Sequence, residues 1–189
     1  LIVEDPASAR ARGAGKRYGL LAGYATTFDP RPGTGRPPTL RAAIENALAD
    51  AGVGPEEVDV VFADAAAVPE LDRIEADAIN AVFGPGGVPV TAPKTMTGRI
   101  CAGGPALDVA TALLAMRDSV IPPTVGVTEP APEYALDLVV GAPRPAEVRT
   151  AVVLARGHGG FNAALVLRSA DAAPGRSATT GGTDAELHP

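Results

Sequence analysis

Hydrophobic and polar positions alternate along the chain in blocks whose period switches between that of a strand and that of a helix. Residues 18–28 carry Leu20, Leu21, Tyr24 and the Thr26-Thr27 pair in a strand-like pattern. Residues 58–63 form a nearly continuous apolar run, as expected of a strand covered on both faces. A short strand is predicted over 88–90, and two more over 148–154 and 162–167 flank a glycine turn. Helical spacing fills the intervals. A short helix over 7–15 ends in glycines, and Thr39 opens a second that runs through Ile44 and Leu48 to the Ala51-Gly52 stop. A third covers 70–83, with Ile74, Ala78 and Val82 one turn apart, and Leu107, Ala110 and Leu114 mark a fourth, small-residue helix through Arg117. Residues 29–38 are dense in Pro and Gly and predict a loop, while Pro122-Pro123 opens a long irregular stretch up to Pro145. Residues 169–189 are polar and without periodicity, which predicts a disordered tail. Strands alternate with helices and finish on a hairpin-like pair: an α/β layered fold with a mixed sheet.

Composition narrows this picture. Hydrophobic residues make up 46% of the 189 and charged residues 20%, which is globular. Aromatics are only 4% with no Trp, so the core is built from Ala, Val, Leu and Ile. A net charge of −6 argues against a nucleic-acid surface, and no apolar run approaches the ~20 residues of a membrane helix. The single cysteine excludes a disulfide framework and a multi-Cys zinc site within the chain. With no secretory signal visible, the expected compartment is the cytoplasm. The opening Leu1-Ile2-Val3-Glu4 resembles the end of a buried strand, without initiator Met or cap, and predicts that an upstream portion belongs with this chain.

Candidate chemistry is sparse. Cys101 precedes a predicted helix, where the positive dipole end favours a thiolate and His158 could serve as base; the ordinary reading is a buried, inert thiol. Gly157-His158-Gly159-Gly160 suggests a phosphate cradle, but it lies between two strands and opens no helix, so a tight turn is expected. Glu70, Asp72, Glu75 and Asp77 could be a metal cluster; the ordinary reading is a solvated helix face that suits the dipole. His188 falls in the tail as a spectator. By residue chemistry alone the chain is an α/β unit without a convincing catalytic constellation or cofactor site.

Three segments carry a resemblance. The run from Val58 through Asp64-Ala65-Ala66-Ala67-Val68-Pro69 to Asp72-Arg73-Ile74-Glu75 is similar to the His-Gly-Thr-x-Thr-Pro and Asp-Arg-x-Glu segments of the β-ketoacyl synthases. Lys94-Thr95-Met96-Thr97-Gly98-Arg99 resembles their Lys-Ser-x-x-Gly-His, and Gly157-His158-Gly159-Gly160-Phe161-Asn162 resembles their Gly-Phe-Gly-Gly turn. Residues 113–124 add to the likeness, which covers residues 1–167. The resemblance implies a thiolase-like layered α-β-α-β-α fold. Residues 1–16 would close its first half, 17–169 would supply the second, and 170–189 the polar tail.

The departures from that pattern bear on function. The two family histidines, which bond the thioester oxyanion and assist decarboxylation, fall on Asp64 and Arg99. An ionised Asp cannot donate a hydrogen bond and would repel a developing enolate, and Arg is charged and differently shaped. His158 takes the place of a gating Phe. Asp64, Lys94, Arg99, His158, Gly159 and Phe161 then outline a degenerate site with no catalytic residue. Asp64 and Arg99 are expected to pair, since a buried charge without a partner is costly. This pattern resembles the chain length factor, the non-catalytic β subunit of type II polyketide ketosynthases. The resemblance implies no cofactor or metal, and as partners a ketosynthase α subunit, the chain's own first half and an acyl carrier protein. A divergent active ketosynthase or priming ketosynthase, with an upstream nucleophile, and a stand-alone interaction domain are the alternatives.

Overall fold

The computed structural model describes residues 1–170 except Lys16 and Pro32; the tail beyond Ala170, with His188, lies outside the described residues. Helix α1 (Pro6–Ala11) is capped by Asp5, whose carboxylate accepts the Ala7 and Ser8 amides. It stops short of the expected end at Gly15. Strand β1 (Gly19–Phe28) follows, then α2 (Leu40–Ala51), β2 (Val60–Phe62), α3 (Pro69–Phe83), β3 (Pro89–Thr91) and α4 (Gly104–Asp118). The two-residue strand β4 (Val120–Ile121) precedes Pro122, and the equally short β5 (Asp137–Leu138) and β6 (Arg144–Pro145) lie in the stretch expected to be irregular throughout. The long strands β7 (Thr150–Arg156) and β8 (Phe161–Ser169) are the last elements among the described residues.

Six strands form one mixed sheet in the order β1-β8-β7-β2-β3-β5. β7, β2, β3 and β5 run parallel, and β8 is antiparallel to both neighbours. β7 is buried from Thr150 to Ala155, as a strand flanked by two others and covered on both faces must be. One core cluster joins the sheet to α2 and α3, the other joins it to α4, giving three layers.

Helix α2 packs as its pattern predicts: Leu40, Ala43, Ile44, Ala47 and Leu48 are buried on one face, and Gly52 closes it at φ 62°. Its close approach to β1 depends on Gly23, where a Cβ would lie 2.5 Å from the Ala51 nitrogen and 2.6 Å from the Ala47 oxygen. Thr39 occupies the N-cap position without a capping bond, because its hydroxyl is held by Thr27 and Asp29.

Helix α4 departs from expectation. Leu107 and Leu114, two of the residues that mark it in the sequence, are exposed; Gly104, Asp108, Ala112, Ala115 and Met116 face inward instead. The helix is apolar nearly all round, so no single stripe identifies the buried side. Its outer face, with Leu20, Leu21 and Leu1 to Val3, lines a groove of about 670 Å³. Among the described residues no helix is long and apolar enough to cross a membrane.

Candidate functional site: a degenerate condensing-enzyme centre

Ligands of parallel α/β sheets gather at the carboxyl ends of the strands. The expected site residues lie there. Asp64 follows β2, Lys94 and Arg99 follow β3, and His158 and Gly159 sit in the turn after β7 that leads into Phe161.

Asp64 is buried, and its side chain has two partners. Oδ2 accepts from Arg99 Nη2 at 2.9 Å, and Oδ1 accepts the Arg156 backbone N–H at 3.1 Å. The same Arg99 nitrogen donates to the Arg156 carbonyl at 2.5 Å. The expected Asp64–Arg99 pair therefore exists, and it holds the Arg156 peptide from both sides. The Arg99 side chain is 37% exposed, so the pair reaches the surface on the Arg99 side.

Below it lies a second pair. Lys94 Nζ is 2.6 Å from Asp108 Oδ2, with both side chains nearly inaccessible. Burial raises the Asp108 pKa against the opposing effect of Lys94. Asp108 was not anticipated from the sequence. A lone charge in the middle of an otherwise apolar helix was the available signal, since such a charge needs a buried partner.

The acidic run on α3 is not one solvated face. Glu75 turns inward and accepts the Asp64 and Ala65 amides at 2.7 and 2.9 Å, one on each carboxylate oxygen. Burial raises its pKa to about 7; those amides and Lys94 oppose the rise, and the Asp64 charge adds to it. Asp72 is also raised by burial, although the Ala66 and Ala67 amides favour its charged form. Glu70 and Asp77 do remain exposed, and Glu70 pairs with Arg73. Among the described residues no group of three or more His, Cys, Asp or Glu could hold a metal ion.

Arg156 carries more of the site than its place in the sequence suggests. Its guanidinium donates to the Leu71 carbonyl at 2.8 Å and to Asn162 Oδ1 at 3.3 Å, and lies 3.7 Å from Asp29. Asn162 donates to Asp29, and the Asp29 amide donates to the Gly160 carbonyl at 2.8 Å. The turn at 157–160 is tight, as expected: Gly157 donates to the Phe161 carbonyl, and Gly159 and Gly160 take φ of 80° and 90°. His158 is exposed at its tip. Cys101 is exposed rather than buried, which corrects the ordinary reading of that thiol. The short 3₁₀ turn before α4 places it at the surface.

Chemically, this arrangement holds charges in pairs and presents no imidazole at either expected histidine position. Asp64 can only accept hydrogen bonds, and the Arg99 nitrogen nearest to it is engaged twice. At the position that the resemblance gives to a histidine, the chain thus offers a carboxylate instead of a donor.

A three-layered half with a mixed sheet and this constellation at the strand ends defines the C-terminal half of a thiolase-like condensing enzyme. The chain belongs to the β-ketoacyl synthase family: residues 18–128 match "Beta-ketoacyl synthase, C-terminal domain". It is 63% identical, over 89% of its length, to the "Tetracenomycin polyketide synthase ketoacyl synthase beta subunit" of Streptomyces glaucescens, of which it covers 41%. Among solved structures it resembles "The ishigamide ketosynthase/chain length factor" (TM-score 0.77, 32% identity, 87% of this chain and 41% of that one). It also resembles one chain of the complex "AntDE:AntF (apo): type II PKS acyl-carrier protein in complex with its ketosynthase bound to the hexaketide" (TM-score 0.80, 28% identity, 89% of this chain and 42% of that one). The chain thus spans about two fifths of the length of the relatives it matches.

Proposed function

We propose that this chain is the C-terminal half of a non-catalytic chain length factor, which pairs with a ketosynthase in a type II polyketide synthase. The observation that carries the reading is the Asp64–Arg99 pair at the two positions where active condensing enzymes have histidines. The 63% identity to a β subunit and the likeness to a ketosynthase/chain length factor support it.

In this reading residues 17–169 form the second half of the thiolase-like fold, and residues 1–16 close the first half and connect to it. The first half packs on the outer face of α4, where Leu113 and Leu114 line the apolar groove. The ketosynthase partner performs decarboxylation and extension on acyl carrier protein thioesters in the cytoplasm. The β subunit shapes the tunnel that holds the growing poly-β-ketone. Product length is then set by exclusion, since forcing one more unit against a packed wall costs about 1–3 kcal/mol. The residues of Asp64 and Arg99 act as a structural bolt in the vacated centre.

Native mass spectrometry of the full subunit co-expressed with its ketosynthase tests the assignment. A one-to-one heterodimer is expected. A stable homodimer that condenses malonyl thioesters unaided would replace this reading with that of a divergent ketosynthase.

A further inference from the structure

The backbone from which Asp64 departs is itself held by a carboxylate. Glu75 is 4% exposed, and its two oxygens take the consecutive amides of Asp64 and Ala65. The loop they anchor is strained: Ala65 and Ala67 stand at φ 47° and 57°, a left-handed conformation that alanine keeps only where its surroundings impose it. Asp64 passes the constraint on, because Oδ1 holds the Arg156 N–H and Oδ2 holds the Arg99 nitrogen that bonds the Arg156 carbonyl. Arg156 ends β7 and is the last residue before the glycine turn. Three links therefore connect a buried glutamate on α3 to the turn at 157–160.

We propose that Glu75 is a positioning residue for the Asp64–Arg99 pair, and that proton uptake at Glu75 loosens the grip of that pair on the Arg156 peptide and so on the glycine turn. A charged carboxylate makes strong bonds to two amides, whereas a protonated one has turned an acceptor site into a donor beside a backbone N–H. The charged groups that face Glu75 are Asp64 after β2 and Lys94 after β3, while Asp72, on the same helix, stands within the field of Asp64 and Arg156. Behind them stand Asp108, on Lys94, and Arg99 and Arg156, around Asp64. Burial and the Asp64 charge place the Glu75 transition at about 7, within reach of cellular pH. The inference stands on this geometry, whichever activity the assembled subunit has.

Hydrogen–deuterium exchange of the intact subunit in its assembly, followed by mass spectrometry, tests the relay. Between pH ~8 and ~6, and after correction for intrinsic exchange, the segments 63–68 and 154–161 should both exchange about fivefold faster at the lower pH. Glu75→Gln should remove the pH dependence from both segments. Asp64→Asn should keep it in 63–68 and lose it in 154–161, which a merely structural role for Glu75 would not produce. Wild-type segments that ignore pH would overturn the proposal, and so would a 154–161 response that persists unchanged in either variant.

Discussion

Asp64 and Arg99 meet at 2.9 Å and between them hold the N–H and the C=O of a third residue, Arg156. Two side chains from different loops thus connect the ends of three parallel strands. Removing either one leaves the other held only by the Arg156 backbone. Arg99→Ala leaves the buried Asp64 carboxylate with only backbone support and should destabilise the fold by about 1–2 kcal/mol, discounted for the half-exposed guanidinium. Asp64→Ala should cost about 2–3 kcal/mol, since it also orphans the Arg156 amide. The double variant should cost less than the sum, a coupling that denaturant titrations of all three proteins measure.

The Lys94–Asp108 pair is the more buried of the two. Lys94→Ala should cost about 3–5 kcal/mol by leaving Asp108 without its cation. Replacing both residues together, as Lys94→Met with Asp108→Leu, should recover most of that loss. Midpoints of urea unfolding distinguish the two cases.

Global stability should fall as pH rises across the weakly acidic range, because the proton relieves the cost of burying the Glu75 charge even as it weakens the two local amide bonds. Glu75 is raised from 4.5 to about 7 in the folded state, so the native protein binds its proton at a pH where the unfolded chain has released it. Its favourable contribution is complete below about 4.5 and is lost as pH passes through 7, a swing of up to about 3 kcal/mol. Asp72 and Asp108 are shifted in the same direction. Asp137, lowered by its bond to Arg144, acts oppositely, with stability lost as pH falls below the ordinary carboxylate range. Melting temperature followed from mildly acidic to mildly alkaline pH should decline in the wild type and flatten in Glu75→Gln.

Gly23→Ala tests the packing of α2 on β1. The added methyl would meet backbone atoms of Ala47 and Ala51, which cannot rotate away. A loss of about 1–3 kcal/mol is expected, read as a lower melting temperature with unchanged strand content by circular dichroism.

How much of this was legible depends on the residue. The α2 stripe is one-sided, so its buried face followed from spacing alone, and β2 lies within the nearly continuous apolar run at 58–63. The orientation of α4 was hidden because the helix is apolar on both sides. Glu75 looked like its acidic neighbours, since a helix start favours carboxylates whether they face water or turn toward a loop. Asp64 and Arg99 are 35 residues apart, and nothing in their spacing joins them. Their pairing was expected only because the chain resembles a family in which both positions converge. Asp29 and Asn162 brace Arg156 across 133 residues of sequence, which periodicity cannot register.

The central claim is that Asp64 and Arg99 are a structural latch in a centre that no longer reacts. Turnover per assembled complex, with Asp64→Asn or Arg99→Gln in this chain and an unaltered ketosynthase partner, tests it most directly. The account predicts that turnover stays within about twofold of wild type while the melting temperature drops. A loss of about 100-fold in a fully assembled complex, the effect of removing a donor to a reacting oxyanion, would contradict it.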